Sequence, residues 1–151
     1  MMHPSFKYPD DNLLTICGII PEDEILKPKT RDYNGDLGIT VIKSGKQTGV
    51  TIGRATGISS IVRKYRLNGK QDSMEWAILP YDKSRPFSTG GDSGSIIVDG
   101  HGRIGGLLTG GSATPATVDF TKDMTYATPF FWLWPRIKAN GFPNAHLNPT
   151  A

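Results

Sequence analysis

The residues best suited to chemistry form the stretch Gly90-Gly91-Asp92-Ser93-Gly94-Ser95, in which a serine lies between glycines. A serine hydroxyl becomes a nucleophile when a sharp turn exposes it, backbone N–H groups can stabilise an oxyanion, and a base takes its proton. Flanking glycines let the backbone turn tightly and direct its N–H groups toward a substrate carbonyl. The stretch therefore predicts acyl-transfer chemistry at Ser93. A polar, glycine-rich turn between two strands is the alternative.

The elements that must position this stretch are short strands with glycine-rich turns between them. Glycines inside the second strand suggest a bulge or a corner, and Asn68-Gly69 is a typical hairpin turn. The predicted strands are 38–43, 50–61, 74–79, 96–98, 104–109 and 124–127. Six short antiparallel strands favour a small closed barrel, because closure removes exposed sheet edges.

The two ends of the chain have a different composition from this β region. Residues 1–37 predict an N-terminal arm and linker with one short strand at 13–20 and a helical turn within 21–28. Cys17, inside that strand, is expected to be a small buried hydrophobe. The aromatic run 129–138 predicts a short or kinked helix that begins after a proline and covers the open end of the barrel. Residues 141–151 form a tail.

The motif Gly91-Asp92-Ser93-Gly94-Ser95 resembles the nucleophile motif of chymotrypsin-like (trypsin-like) serine proteases. In that family the motif leads into a strand, a hairpin, a substrate-binding strand, a strand with a tyrosine and a terminal helix. The same succession follows here, and the resemblance covers residues 38–140. It implies an all-β fold, a six-stranded antiparallel Greek-key barrel of the trypsin-like type with a short C-terminal helix. This is the family's C-terminal barrel, and we expect its N-terminal barrel to be absent.

The same resemblance assigns catalytic roles around the motif. Ser93 would be the acyl-accepting nucleophile, and the backbone N–H groups of Gly91 and Ser93 would form the oxyanion hole. Asp92 would be a structural carboxylate that orders the loop, and not the acid of the catalytic triad. The expected reaction is peptide-bond hydrolysis through an acyl-enzyme.

Substrate-binding residues are also implied by the resemblance. Thr109, Gly110 and Gly111 match the segment that pairs with the substrate backbone, where small residues allow close approach. Phe87 falls at the base of the specificity pocket, and Met124 faces that pocket from the later strand. Neither side chain can neutralise a basic group, so we expect an uncharged side chain at the P1 position of the substrate.

The histidine and aspartate that complete the family's triad have no counterpart in this sequence. His101 lies on the hairpin after the nucleophile strand, and His3 and His146 lie near the termini. We therefore expect a serine endopeptidase-like domain that is inactive alone. The alternative is a non-catalytic pseudo-protease that binds peptides or proteins. A metal-dependent hydrolase is set aside because no clustered ligand set is present, and no metal or cofactor is expected.

Composition narrows the expected partners and location. The net charge of +3 is ordinary for a soluble protein. The basic cluster at 63–66 indicates a solvent-exposed strand end and hairpin, so no nucleic-acid partner is expected. Neither a membrane-span-length apolar run nor a signal-peptide core is present. With one cysteine, these features favour a cytoplasmic or otherwise non-secreted protein. The expected partners are a peptide or protein substrate, and a complementary N-terminal barrel or a second copy bound near Ser93.

Overall fold

Strands dominate the chain because β-branched residues recur in alternation with small and polar ones. The computed structural model describes residues 10–11, 13–32, 34–81, 84–112 and 123–147. The strands in this part are β1 Gly18–Ile19, β2 Ile39–Gly45, β3 Gly49–Arg66, β4 Gly69–Pro80, β5 Ile96–Asp99, β6 Arg103–Gly111 and β7 Thr125–Pro129. The helices are α1 Glu22–Leu26 and α2 Phe130–Ala139. The chain is thus mostly β with a short C-terminal helix, as predicted.

The strands form one sheet in the order β1-β6-β5-β2-β3-β4-β7. A further pairing joins β6 to β7, so six of the strands are linked in a cycle. All pairs in that cycle are antiparallel, whereas β1 runs parallel to β6. The sheet is therefore mixed. The strand predicted within 13–20 was not assigned to the sheet, whereas β1 joins it through the parallel pairing of Gly18 and Ile19 with β6.

Two apolar clusters lie on opposite faces of the strands, because successive strand residues point to opposite sides. On β2, Val41 belongs to the larger cluster and its neighbour Ile42 to the smaller one. The larger cluster contains Ile20, Ile25, Ile39, Val41, Ala55, Trp76, Ile78, Phe87, Ile97, Leu108 and Ala127. The smaller cluster is covered by α2 and by the segment that precedes and includes β1. The segments near both ends of the described chain thus pack on the face of the strands that carries the smaller cluster.

The helix α2 confirms the predicted aromatic terminal helix. It begins at Phe130, whose buried ring stacks on that of Trp134 with centroids 5.7 Å apart. Pro135 lies inside the helix without ending it. The side chains of Phe130, Leu133 and Trp134 all belong to the smaller apolar cluster, so the helix packs on the sheet.

The hairpin of β3 and β4 extends much further than predicted. β2 pairs with β3 only as far as Ala55, and β7 pairs with β4 only over Trp76, Ala77 and Ile78. Residues 60–66 and 69–75, here called the β3–β4 ribbon, therefore have no third strand beside them in the described part of the chain. The sequence underestimated both strands because the polar, basic residues of the ribbon lack a buried face to reveal their periodicity.

The N-terminal segment is less regular than expected. Only Gly18–Ile19 is a strand, although the backbone N–H of Cys17 donates to the carbonyl of Gly102 at 3.1 Å and that of Ile20 to Ile104 at 2.9 Å. The expectation of a buried Cys17 is wrong. Its side chain is exposed, and its thiol donates to the carbonyl of His101 at the surface.

Candidate functional site

The Ser93 turn, defined as residues 89–95, leads directly into β5. Gly91 and Gly94 adopt φ values of +103° and +89°, in the left-handed region that glycine tolerates best. At Gly91 a Cβ would also lie 2.7 Å from Cγ of Gln47, so the position has no room for a side chain. The turn requires its glycines, and it leaves Ser93 exposed at its outer edge.

The backbone N–H groups of the Ser93 turn fall into two sets. Those of Asp92, Gly94 and Ser95 donate to the carbonyls of Thr89, Leu108 and Asp92, at 3.1, 2.8 and 3.1 Å. Those of Gly90, Gly91 and Ser93 donate to no acceptor within the described residues. The N–H groups of Gly91 and Ser93, which flank Asp92, are thus available to a bound group, as is that of Gly90.

Asp92 connects the Ser93 turn to the tip of the β2–β3 hairpin and is only 1% exposed. Its Oδ1 accepts hydrogen bonds from the backbone of Gln47 at 2.7 Å and of Thr48 at 3.3 Å. Its Oδ2 accepts from the Thr48 hydroxyl at 2.6 Å and from the Thr89 backbone at 3.1 Å. Burial opposes ionisation, but these hydrogen bonds outweigh it and lower the pKa of Asp92 to about 2.

Lys43 supplies a buried cation beside Asp92. Its side chain is 0% exposed, and its Nζ lies 3.7 Å from Oδ2 of Asp92. The ammonium also donates to the Thr48 hydroxyl and, at 3.1 Å, to the carbonyl of Gly49. Burial lowers the pKa of Lys43, and the charge of Asp92 opposes that shift. The sequence analysis missed this residue, although Lys43 shares the inward-facing alternation of Ile39 and Val41, which places a cation on the core side.

A cavity of about 500 Å³ opens beside Ser93. The residues that line it are Leu14, Ile16, Ile42, Lys43, Ser44, Lys46, Gly91, Ser93, Gly94, Ser95, Ile96 and Val98. Its apolar lining comes from the N-terminal segment, β2 and β5, and its polar lining comes from the Ser93 turn and from Lys43, Ser44 and Lys46. The exposed serine thus faces a recess with apolar surface close by.

The end of β6 beyond Leu108 presents a strand edge. Pairing with β5 and the Ser93 turn ends where Leu108 bonds to Gly94 and Ser95. On the other side, Gly110 and Gly111 remain paired with β7. In the described part of the chain, Thr109, Gly110 and Gly111 therefore have one edge without a neighbouring strand. A Cβ on Gly110 would contact nothing within 4 Å, so this edge borders open space.

Phe87 and Met124 lie away from the cavity beside Ser93. Phe87 is 1% exposed and packs in the larger apolar cluster, where its carbonyl accepts a hydrogen bond from the Thr51 hydroxyl at 2.7 Å. Met124 is half-buried, and its backbone N–H donates to the Ser112 hydroxyl at 2.9 Å. The structure thus joins Ser93, Gly91 and Asp92 in one turn and places these two residues near the start of β7.

Asp123 is another buried carboxylate, and it was not among the predicted site residues. It is 4% exposed and accepts hydrogen bonds from the backbone N–H groups of Phe87 and Met124. Its Oδ2 has no hydrogen-bond partner in the described part of the chain. Burial raises the pKa of Asp123. Its sequence neighbours gave no signal, because the burial arises from packing against residues distant in the chain.

The described residues place no base in hydrogen-bond contact with Ser93. No side chain among them forms a hydrogen bond with the Ser93 hydroxyl. His101 lies in the β5–β6 turn, at the opposite end of β5, where its backbone N–H donates to Asp99 at 2.9 Å. His3 lies outside the described residues. Within them, no group of three or more His, Cys, Asp or Glu side chains is placed to hold a metal ion.

No family model and no curated protein sequence matches this chain. Among solved structures, the chain is similar to the crystal structure of Cellulomonas bogoriensis chymotrypsin, with 24% sequence identity and a TM-score of 0.43. The match covers 69% of this chain and 48% of that one, so the chain spans about half the length of that chymotrypsin. The helices within the described residues are too short to cross a membrane.

Proposed function

We propose that this chain is a serine endopeptidase-like domain that has the nucleophile and the oxyanion hole but lacks its own base. In this proposal residues 38–140 form a six-stranded antiparallel Greek-key barrel of the trypsin-like type. The cycle of pairings β6-β5-β2-β3-β4-β7 supports it, because β4 pairs with β7 instead of with β5, the next strand along the chain. In a Greek key, too, a strand returns by a longer connection and pairs with a strand that is not its neighbour in the chain.

The unused N–H groups of Gly91 and Ser93, beside the exposed Ser93 hydroxyl, are the main support for the proposal. Attack by the Ser93 hydroxyl on a carbonyl would place negative charge on its oxygen. The N–H groups of Gly91 and Ser93, which have no acceptor in the described residues, are available to bind that oxygen. These donors lie in the same exposed turn as the Ser93 hydroxyl.

Asp92 would act as a positioning residue. Both of its carboxylate oxygens already accept two hydrogen bonds, and Lys43 balances its charge. Such a carboxylate has no capacity left to orient a catalytic base. Its role would be to fix the turn, because a misplaced oxyanion hole loses much of its effect.

The substrate would be a peptide in extended conformation. The free edge of Thr109, Gly110 and Gly111 offers backbone donors and acceptors to another strand, and the open space at Gly110 allows close approach. Such strand addition gives affinity through main-chain hydrogen bonds. The peptide would lie along the end of β6, which bonds to the Ser93 turn through Leu108.

The base would come from outside residues 1–151, on a complementary N-terminal barrel or another chain that binds the apolar wall of the cavity. A second copy of this chain is another candidate partner. Without a base, the expected residual acceleration is on the order of 10³ to 10⁴ over water, from the oxyanion hole and binding alone.

A fluorophosphonate reagent tests the poised serine directly. The chain is incubated with the reagent at pH 8, with and without imidazole as an external base, and labelling is followed by intact mass. We expect slow labelling that imidazole accelerates, abolished by Ser93→Ala and retained in the matched variant Ser95→Ala. Fast labelling without imidazole would contradict the missing base. Absence of labelling under both conditions would contradict the proposal.

A non-catalytic pseudo-protease is the second candidate, and the absence of a base bonded to Ser93 within the described residues favours it. It would bind an extended peptide at the same β6 edge and use the cavity for protein contact. Retained peptide binding in Ser93→Ala, together with no labelling of the native chain, would favour this candidate. Labelling at Ser93 would exclude it.

A further inference from the structure

We propose that the end of the β3–β4 ribbon, here called the ribbon tip and defined as residues 63–70, docks on an anionic lipid surface. Leu67 would enter the apolar layer, and the basic side chains beside it would contact the lipid phosphates. This inference goes beyond the proposed function, because it uses no residue of the Ser93 turn. A surface contact of this kind requires no apolar run long enough to span a membrane.

The first observation is the concentration of positive charge in the ribbon tip. Arg63, Lys64, Arg66 and Lys70 lie in this stretch, which contains no acidic residue. In the rest of the chain acidic residues outnumber basic ones by one, so the ribbon tip carries the whole positive excess. Within the described residues Arg63 pairs with Asp72 at 2.7 Å, and no carboxylate pairs with the other three cations. Those three charges are thus available to an anionic partner.

The second observation is the exposure of apolar side chains in the same stretch. Leu67 is fully exposed and Tyr65 is 81% exposed, and these are the highest values among the large hydrophobic side chains of the described residues. At a membrane surface an aliphatic side chain enters the acyl region, an aromatic ring lies at the headgroup level, and cations contact anionic headgroups. The ribbon tip holds all three types of side chain within a few residues of one another.

The third observation is that the ribbon carries these side chains away from the rest of the sheet. Pairing of β3 with β2 ends at Ala55, and pairing of β4 with β7 ends at Trp76. The two ribbon strands continue as a pair to Arg66 and Gly69, which spans about 20 Å beyond the last neighbouring strands. A flat surface can therefore reach Leu67 without contacting the part of the sheet that has neighbours on both sides.

Docking through the ribbon tip would leave the Ser93 turn accessible. β3 begins at Gly49, directly after Thr48, whose hydroxyl donates to Asp92 in the Ser93 turn. The ribbon tip includes the opposite end of the same strand. A chain held on lipid in this way would keep the cavity beside Ser93 at the end of β3 remote from the lipid.

A lipid surface fits the ribbon tip better than a nucleic acid does. Cations and a tyrosine also suit a nucleic acid, in which phosphate contacts and stacking on bases provide the affinity. Leu67 would contribute little to such a complex, although it is the most exposed apolar side chain of the described residues. In a lipid layer its apolar surface would be removed from water, which is favourable.

Co-sedimentation with vesicles tests the inference. The chain is mixed with vesicles of phosphatidylserine and phosphatidylcholine, or of phosphatidylcholine alone, and the bound fraction gives a partition coefficient. We expect the coefficient to be at least about tenfold higher on the anionic vesicles and to fall as salt is added. Leu67→Ser, which keeps the charge, should lower it by about fivefold or more. The matched variant Leu13→Ser, which removes another exposed leucine, should leave it unchanged.

A pair of charge variants separates the ribbon tip from the net charge of the chain. Arg66→Gln combined with Lys70→Gln should lower the partition coefficient on anionic vesicles by about tenfold or more. Lys27→Gln combined with Lys29→Gln removes the same charge from exposed positions elsewhere and should lower it by less than about twofold. All the substituted side chains are exposed, and urea denaturation checks that the variants keep the stability of the native chain.

Equal partition of the native chain on the two kinds of vesicle would overturn the inference. Unchanged partition of Leu67→Ser would overturn it as well, because charge alone would then explain the binding. Equal losses in the two charge variants would show that net charge, and not the ribbon tip, attracts the chain. Binding to single-stranded RNA without binding to anionic vesicles would assign the ribbon tip to a nucleic acid instead.

Discussion

Two buried carboxylates receive backbone N–H groups from the same short segment, but they end in opposite states. Asp123 accepts a hydrogen bond from the backbone N–H of Phe87, and Asp92 accepts one from the backbone N–H of Thr89. Asp92 has four hydrogen bonds and a buried lysine, and its pKa falls to about 2. Asp123 has one unpartnered oxygen and a raised pKa. Burial alone therefore does not decide the direction of the pKa shift of a carboxylate; the hydrogen bonds and charges that its oxygens meet decide it.

The largest expected effect is the loss of Asp92. Asp92→Ala removes the acceptor for Gln47, Thr48 and Thr89 and leaves Lys43 as an uncompensated buried charge. We expect the free energy of unfolding to fall by about 3–5 kcal/mol. Urea denaturation checks this value. A loss below about 1 kcal/mol would show that Asp92 is not the anchor of the turn.

Removal of the cation is expected to have the next largest effect. Lys43→Met keeps much of the side-chain volume but removes the hydrogen bonds to Thr48 and Gly49 and the charge beside Asp92. We expect a loss of about 2–3 kcal/mol in urea denaturation. In the double variant with Asp92→Ala, the two losses should sum to more than the measured total, since both residues serve one pair. Additive losses would contradict the coupling.

Crowding of Asp92 should produce a smaller loss. A Cβ on Gly45 would lie 2.7 Å from Cγ of Asp92 and 3.1 Å from Nζ of Lys43, whereas one on Gly90 would contact nothing within 4 Å. We expect Gly45→Ala to lower the thermal midpoint by an amount equivalent to about 1–3 kcal/mol. The matched variant Gly90→Ala should change it little. Equal midpoints for the two variants would show that the carboxylate has room to move.

The smallest change in stability is expected at Asp123. Its effect on the pH dependence of stability has the opposite sign to that of Asp92. Its pKa is raised in the folded state, so its contribution to stability falls as pH rises through that pKa. Asp92, whose pKa is lowered from 3.8 to about 2, contributes stability that is lost as pH falls across that interval. Asp123→Asn should therefore change stability at pH 7 by less than about 1 kcal/mol and flatten the decline above pH 4. Urea denaturation from pH 2 to 8 measures both slopes, and a marked loss of stability at pH 7 would contradict an unpaired carboxylate.

The sequence predicted the features that depend on local pattern. The strands beside Ser93 and the helix after Pro129 follow from alternation and from proline, and the turn follows from its glycines. The counter-charge of Asp92 was missed because Lys43 lies far from it in the chain and meets it only after β2 pairs with β5. The burial of Asp123 likewise depends on the pairing of β7 with both β4 and β6. The pairing of strands distant in the chain thus decides which charged side chains meet and which are buried, and the local sequence pattern does not show this.

The β3–β4 ribbon exposes strand edges to which another chain could pair. Its two outer edges lack neighbouring strands in the described residues, and the side chains of Ile61 and Met74 are 74% and 67% exposed. Such a ribbon is a template on which another chain can add a strand. The ion pair of Arg63 with Asp72, 2.7 Å apart, lies on this surface, and Lys64 adds a further exposed charge. Charged side chains beside such edges disfavour the addition of another strand, so we expect them to act as gatekeepers against aggregation.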